Sequence, residues 1–201
     1  MPLKVDHIAR RAEIAGAAIE AIATRGLDAV RLVDVARATD ATTGQIVHYY
    51  PDKDAVLLAA LDAIIARLVE RLLQPSSTGD IMAEIAEALP LDPQRLREWN
   101  IWLQFAGRSS HTEAFRSRNA DYYRQISAAL ADRLAAHAGT AGGKALADAI
   151  IAMVDGIGMR AALEPEDWPA SRQKRILRLM IAALLETHAG SRKRRDKRRK
   201  R

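Results

Sequence analysis

Apolar residues recur at helical spacing along almost the whole chain, and no stretch shows the two-residue alternation of a half-buried strand. In residues 6–25 the apolar positions fall three or four apart and predict one face of an amphipathic helix. That predicted face consists of Ile8, Ala12, Ala15, Ile19 and Ile22. Gly26 follows as a natural C-cap, so the first helix is predicted to end there.

The same periodicity, together with capping residues and prolines, predicts eight further helices. They span residues 32–39, 43–49, 52–73, 80–89, 93–108, 113–138, 144–163 and 169–188. Residues 75–79, PSSTG, make the clearest break in the chain, and residues 137–143 and 164–169 predict two more connections. The pattern therefore predicts an all-α protein.

Start and stop signals are densest around the third predicted helix. Thr42 and Gln45 match a capping box, in which each side chain satisfies a backbone N–H at the helix start. Pro51 discourages continuation of the helix, and Asp52 can cap the next one. A helix, a short helix, a tight turn and another short helix form the helix-turn-helix arrangement that binds DNA.

The residues in this region resemble those of a known family. Residues 30–57, VRLVDVARATDATTGQIVHYYPDKDAVL, resemble the TetR family of transcription regulators through Val35-Ala36, Thr42, Gly44, Tyr49-Tyr50-Pro51, Lys53 and Leu57. Residues 97–105, 122–124 and 155–163 are similar to the BetI-type branch of that family. The chain departs from the family pattern at Asp40, where glycine is usual in the turn, and at Val47, where tyrosine is usual.

The resemblance implies a domain division. It predicts a three-helix helix-turn-helix DNA-binding domain in residues 1–53 and a larger helical effector-binding and dimerisation domain in 54–190. A disordered basic tail is expected in 191–201, because the like-charge block there resists packing.

A recognition helix enters the major groove of double-stranded DNA with its N-terminal residues toward the bases. The DNA-binding residues expected from this resemblance are Arg31, Thr42, Thr43, Gly44, Gln45, Val47, His48, Tyr49 and Lys53. Gln45 can pair with adenine or serve only the capping box, and His48 is either a DNA contact or an ordinary surface residue. Arg31 and Lys53 are expected at phosphates, which govern affinity more than sequence preference.

Seven of the nine aromatic residues lie within residues 99–168. The effector-binding residues expected there are Trp99, Trp102, Phe105, Arg108, Tyr122, Tyr123, Met153 and Arg160, around a mainly apolar pocket for a small molecule. An aromatic cage would suit a cationic, choline-like effector. The alternative for each ring is a place in an ordinary helical core.

The last two predicted helices carry apolar residues on more than one side. The resemblance implies that they pair with their counterparts in a homodimer, which predicts a palindromic operator with half-sites about 34 Å apart. A monomeric core is the alternative.

Charge and composition limit the other possibilities. Of the net charge of +6, residues 192–201 supply +8, so the rest of the chain is slightly acidic and residues 1–53 are balanced. Cysteine is absent, which excludes disulfides and thiolate metal sites, and we expect no metal and no cofactor. No secretory signal or membrane-length apolar run occurs, so a soluble cytoplasmic protein without membrane contact is expected.

Two other functions remain open at this stage. The basic tail could drive nonspecific nucleic-acid binding. A helical enzyme is less favoured, because the five histidines are scattered and HExxH, GxSxG, P-loop and GxGxxG motifs are absent.

Overall fold

The described part of the chain is built from α-helices without a strand, which confirms the predicted all-α fold. The computed structural model describes residues 6–74, 80–138 and 143–199, with the side chains of all of these except 73, 137–138 and 185–199. The helices are α1 (His7–Arg25), α2 (Leu32–Ala38), α3 (Thr43–Tyr49), α4 (Lys53–Leu73), α5 (Ile81–Ala86), α6 (Pro93–Ser109), α7 (Glu113–Ala138), α8 (Gly143–Leu163) and α9 (Ala170–Arg199).

Aspartates fix the starts of four helices. Asp6, Asp52, Asp80 and Asp92 each accept hydrogen bonds from backbone N–H groups in the first turn of α1, α4, α5 and α6. These N–H groups have no partner within their own helix, so a side-chain acceptor stabilises the helix end. The predicted helix starts are therefore accurate, because short-range hydrogen bonds determine them.

The buried face of α1 differs from the predicted one. Ile8 is 82% exposed and Ala12 is also exposed, so both lie outside the core. The buried residues of this helix are Ile14, Ala15, Ala18, Ile19 and Ile22. The prediction was wrong for these two residues, because the buried face of α1 begins only at Ile14. In the first turn, the ring of His7 is 5.5 Å from that of Tyr49 at the end of α3.

Two other segments differ from their predicted lengths. The helix predicted over 80–89 ends at Ala86 and continues as turns. The helix predicted over 169–188 extends as α9 to Arg199, so its backbone includes most of the tail expected to be disordered. The connections predicted at 75–79 and within 137–143 fall largely outside the described residues.

Two groups of buried residues form the interior. The first joins α1, α2 and α3 to α4, α6 and α7, so the core passes from the helix-turn-helix into the remaining helices without a gap. The second joins α5 to α7, α8 and α9. None of the helices in the described ranges combines the length and apolar character needed to cross a membrane.

Candidate DNA interface and effector pocket

Helix α3 turns one side into the core and the other to solvent. Ile46 and Tyr50 are buried against α1, whereas Thr43, Gly44, Gln45, Val47 and His48 are exposed. The turn that precedes α3 contains Asp40 with a φ of 48°, a left-handed conformation that aspartate adopts more readily than most residues. The turn is therefore formed with aspartate in the place where the family usually has glycine.

The predicted capping box is present at the start of α3. The Gln45 backbone N–H donates to Thr42 Oγ1 at 3.2 Å, and the Thr42 backbone N–H donates to Gln45 Oε1 at 2.8 Å. Gln45 Oε1 is thus engaged within the protein, while its side chain remains exposed. A bidentate contact of Gln45 with adenine would have to share or replace this bond, whereas a contact through its side-chain N–H groups alone would not.

Gly44 has no packing partner that requires a glycine. A Cβ atom placed there would lie 3.8 Å from Thr42 Oγ1, which is ordinary van der Waals contact. The missing side chain instead leaves the backbone of α3 accessible from outside. A surface that approaches closely, such as a DNA strand, would need that space.

Aromatic and basic side chains from α1 border the end of α3. His7, His48 and Tyr49 have ring centroids 5.3 to 6.4 Å apart. Arg10 lines the same groove as Thr42, Gly44, Gln45, His48 and Tyr49, and its guanidinium donates to the Thr39 carbonyl at 2.9 Å. Sequence reasoning missed His7 and Arg10, because only the fold brings α1 beside α3.

The two predicted phosphate contacts already have partners within the chain. Lys53 Nζ donates to the Asp28 carbonyl at 2.9 Å, and Arg31 Nε lies 3.5 Å from Asp34 Oδ2. The Arg31 side chain is 69% exposed, so it remains open to an additional contact. Lys53 is half-buried and holds the turn between α1 and α2.

The same turn is held by α6. Gln104 Oε1 accepts a hydrogen bond from the Leu27 N–H at 2.7 Å. One turn later, Arg108 lies 2.8 Å from Asp54 Oδ1 and 3.4 Å from Asp28 Oδ1. These contacts tie α6 to the helix-turn-helix and to the start of α4.

Two narrow cavities lie among α4, α6, α7 and α8, next to the segment that joins α5 to α6. They share Leu68, Ala88, Trp99, Tyr122 and Asp155 as lining residues, while Trp102 lines the first and Tyr123 the second. Each has room for no more than a few water molecules, so an organic ligand would have to displace these side chains. The Trp99 ring lies directly on Gly158, where even a Cβ atom would overlap it.

Asp155 on α8 is the notable polar group of the cavities. Its Oδ2 accepts a hydrogen bond from the Tyr123 hydroxyl at 2.7 Å. Burial raises the pKa of Asp155 to about 6, and the Tyr123 hydrogen bond only partly offsets this effect. Burial and the nearby Asp155 carboxylate likewise raise the pKa of Tyr122 and Tyr123.

Glu98, the other carboxylate at the cavities, is neutralised within the protein. Its side chain is 6% exposed and lies 2.8 Å from Arg71 and 3.6 Å from Arg67, both on α4. Asp155 has no such cationic partner in the described part of the chain. In the same part, no group of three His, Asp or Glu residues could hold a metal ion.

The comparisons with known proteins agree with this geometry. Residues 14–60 match the family model described as bacterial regulatory proteins of the TetR family, and residues 78–186 match the BetI-type transcriptional repressor C-terminal model. The chain belongs to the TetR family of bacterial transcriptional regulators. The family indicated by the sequence resemblance is confirmed, and as a member of this family the protein is a DNA-binding transcriptional regulator.

Curated relatives of this TetR-family chain are matched over most of their length. The transcriptional regulator PksA of Bacillus subtilis is 24% identical over 88% of this chain and 90% of that protein. The transcriptional regulator BetI of Paraburkholderia phymatum is 26% identical over 90% of this chain and 95% of that protein.

Solved structures share the fold. A transcriptional regulator from Rhodococcus superposes with a TM-score of 0.78 at 24% identity, over 88% of this chain and 96% of that one. A regulator from Saccharomonospora viridis, crystallised with choline, gives a TM-score of 0.71 at 22% identity, over 87% of this chain and 96% of that one. The complex of SmeT with triclosan gives 0.69 at 19% identity, over 87% and 91% of the two chains.

Four of the eight residues expected at the effector pocket of this regulator line the cavities: Trp99, Trp102, Tyr122 and Tyr123. The other four do not line them. Phe105 is buried and stacks on Phe115 at 5.7 Å, and Met153 packs in the second core group. Arg108 lies at the helix-turn-helix, as described above, and Arg160 pairs with Glu164 beside the Trp168 ring.

Sequence reasoning also missed three charged cavity residues: Arg71, Glu98 and Asp155. One signal for Asp155 was available, since it interrupts an apolar run between Val154 and Ile157 on α8. Burying a charged side chain on an apolar helix face costs free energy unless the charge has a partner, so such a residue is a candidate for a functional role. Arg71 and Glu98 become visible only when α4 and α6 are packed together.

Proposed function

We propose that this chain is a dimeric repressor that leaves a palindromic DNA operator when a small molecule occupies the two cavities. The observation that carries the proposal is the double attachment of α6. Trp99 and Trp102 on this helix line the cavities, and Gln104 and Arg108 on the same helix hold the helix-turn-helix. A displacement of α6 by a ligand would therefore move the DNA-binding helices.

In this proposal, residues 1–53 form the DNA-binding domain, residues 54–190 form the effector-binding and dimerisation domain, and residues 191–201 form a basic tail. Thr43, Gln45, Val47 and His48 would contact bases, because they occupy the exposed side of α3. Arg31, Lys53 and the tail would bind phosphates and set the salt dependence of the affinity.

The proposed dimer uses α8 and α9. Met159 and Leu163 on α8 and Leu179 on α9 are large apolar residues that stand exposed in the single chain. Leu177 and Ile181 of α9 face the chain's own core, so this helix is apolar on two sides. A second copy would cover the outer side and bring two α3 helices to one palindrome.

Two structural neighbours support a small-molecule effector without fixing its identity. The Saccharomonospora protein was crystallised with choline and SmeT with triclosan, which is a very different molecule. The chemical class of the effector must therefore be argued from the cavity residues of this chain.

A gel-shift competition tests the proposed function against nonspecific binding by the basic tail. The full-length protein is bound to DNA that flanks its gene and challenged with bulk DNA. We expect bulk DNA at about 1,000-fold excess to leave the specific complex largely intact, as the usual affinity ratio implies. Deletion of residues 191–201 should weaken binding to all DNA equally and flatten its salt dependence.

The opposite pattern would overturn the proposal. A binder driven by the tail would lose its complex to an equal mass of bulk DNA. It would also lose nearly all DNA affinity when residues 191–201 are removed.

A further inference from the structure

His7, His48 and Tyr49 form a cluster of rings, the histidine cluster, where the start of α1 meets the end of α3. The ring centroids of His7 and His48 lie 6.4 Å apart, and that of Tyr49 lies 5.5 Å from the first and 5.3 Å from the second. Both histidines are exposed. Apart from these ring contacts, neither forms a hydrogen bond or an ion pair with another described residue, so both imidazoles are open to an external partner.

The permanent charges beside the histidine cluster are already balanced. Arg10, which lines the same groove, lies 2.6 Å from Glu13 and donates to the Thr39 carbonyl at 2.9 Å. Residues 1–53 contain seven Lys or Arg and seven Asp or Glu, so this part of the chain has no net charge while its histidines are neutral. Attraction to DNA phosphates is mainly electrostatic, and a neutral surface gains little of it.

Protonation of the histidine cluster would supply positive charge, because histidine is the residue type that ordinarily changes charge between pH 5 and pH 8. With both His7 and His48 protonated, the net charge of residues 1–53 would change from 0 to +2. Two imidazolium rings with centroids 6.4 Å apart repel each other, so the free protein resists the second proton. Phosphates beside the rings would offset this repulsion. DNA binding and proton uptake should therefore favour each other, as the reciprocity of linked equilibria requires.

The charged and titratable groups that adjoin the histidine cluster come from α1 and α3. On α1 they are Asp6, whose side chain caps the helix, and the paired Arg10 and Glu13. On α3 the group is Tyr49, and the end of α2 approaches through the Thr39 carbonyl that Arg10 binds. None of these residue types ordinarily titrates near neutral pH, so the imidazoles are the groups of this surface that respond to mild acid.

We propose that the histidine cluster makes operator binding depend on pH, with tighter binding as mild acid charges His7 and His48. The cluster borders the exposed side of α3, so DNA that meets this side would bring its phosphates next to both rings. A positive charge on His48 favours the complex whether its ring meets a base edge or a phosphate. This inference rests on the proposed function, because it names a regulation of the same DNA surface.

A pH series of operator affinities tests this regulation. Full-length protein is titrated into a short duplex of the footprinted operator at constant salt, and binding is followed by fluorescence anisotropy from pH 8 to pH 6. We expect the affinity to rise about 10-fold over this range, as two imidazoles gain charge beside the phosphates. The slope of log affinity against log salt should become more negative by up to about 1.8, since each added phosphate contact contributes about 0.9.

Substitutions of the two histidines assign the pH effect to the cluster. His7→Gln should reduce the effect to about 3-fold and leave the preference for operator over bulk DNA unchanged, because a phosphate contact carries no sequence information. The double variant, His7→Gln with His48→Gln, should show no pH effect. His7→Lys makes the opposite change, since its charge is permanent, and it should bind the operator about 3-fold more tightly than the unchanged protein at pH 8.

His111→Gln is the matched control. His111 is an exposed histidine in the connection between α6 and α7, outside the groove beside α3, so this variant loses one imidazole and keeps the histidine cluster. It should retain the full pH effect. Asp155 also titrates in this range, because burial raises its pKa to about 6, and a pH effect that came from Asp155 would persist in the double variant.

Equal operator affinity at pH 8 and pH 6 would overturn the inference, as would a full pH effect in the double variant. A His7→Lys protein that binds no more tightly at pH 8 would place His7 away from the phosphates and also contradict it. Failure of the gel-shift competition would refute the proposed function. The same pH series on bulk DNA would then still test the histidine cluster, because all DNA carries phosphates.

Discussion

A substitution at Gly44 should weaken DNA binding without weakening the fold. No contact among the described residues needs a glycine at this position, yet Gly44 lies on the exposed side of α3, the proposed recognition helix. Gly44→Ala should leave the free energy of unfolding unchanged or raise it by up to about 1 kcal/mol, because alanine favours helix. Operator affinity, measured by fluorescence anisotropy, should fall at least 10-fold as the added methyl group meets the DNA.

Gly16→Ala on α1 is the matched control for this change. Gly16 also has free space for a Cβ atom, so the variant should gain the same helix stability. Its operator affinity should equal that of the unchanged protein. Full DNA affinity in Gly44→Ala would contradict the placement of α3 against the DNA.

Asp155 should make the stability of the protein depend on pH. The pKa of this carboxyl is raised from 3.8 to about 6 by burial, so the folded protein favours its protonated form. The stability linked to this group is full below about pH 4 and is lost as the pH rises through 6. Asp155→Asn should therefore stabilise the protein by about 3 kcal/mol at pH 8 and by roughly half as much at pH 5. Urea unfolding at a fixed protein concentration measures both values.

Asp148 supplies a control of the opposite sign. Hydrogen bonds from Ser127 and Lys144 lower the pKa of Asp148, so its ionised form is favoured in the folded protein. Asp148→Asn should therefore destabilise the protein at pH 8. A stability of Asp155→Asn that is no greater than that of the unchanged protein at pH 8 would mean that the Asp155 carboxylate is not strained by burial.

How much of the site the sequence predicts depends on the range of the interaction. The capping box of Thr42 and Gln45 forms as predicted, because residues within a few positions determine it. The turn at Asp40 is left-handed for an equally local reason. Asp155 and His7 were not predicted as site residues. Their partners come from distant helices, and a periodicity argument does not show which helices meet.

At the scale of elements, α6 connects the cavities to the DNA-binding helices. Arg108→Gln would remove its ion pairs with Asp54 and Asp28 while leaving the cavity-lining residues of α6 in place. We expect near-normal affinity for operator and for effector measured separately. The ratio of operator affinities without and with saturating effector should fall at least 5-fold, as measured by anisotropy.

Arg97→Gln is the matched variant on the same helix. The ion pair between Arg97 and Glu20 also joins α6 to α1, but both side chains are substantially exposed, so it should contribute little. This variant should keep the full effector response. Equal loss in both variants, or a full response in Arg108→Gln, would show that the Arg108 contacts do not transmit the signal.

The helix boundaries show the same division between local and distant causes. The predicted bounds of α3 agree with the structure, because the Thr42 cap and Pro51 mark them. The helix predicted over 80–89 was too long, since its last residues pack as turns below α6. Arg108 was predicted at the pocket, but on α6 it lies beyond the residues that line the cavities and pairs with Asp54 instead.

At the scale of the whole molecule, the outer side of α8 and α9 should hold two chains together. Leu179 is 68% exposed in the single chain, and a charge at this position would be buried unpaired in a dimer. Leu179→Glu should raise the dimer dissociation constant at least 100-fold, as measured by analytical ultracentrifugation. Its affinity for a palindromic site should fall in parallel.

Ile8→Glu is the control for this surface. Ile8 is 82% exposed on α1, far from α8 and α9 in the chain, and the variant should remain dimeric. A Leu179→Glu protein that sediments as the unchanged dimer would place the interface elsewhere.

Footprinting on the DNA that flanks the gene tests the central claim most directly, because it reports sequence preference and dimer geometry together. A dimer that presents two copies of α3 predicts protection of two inverted half-sites, with centres about one helical turn, or roughly 34 Å, apart. The protection should disappear at the same protein concentration with Gly44→Ala and persist with Gly16→Ala. Uniform protection of the fragment, without a palindrome and unchanged by Gly44→Ala, would contradict the account.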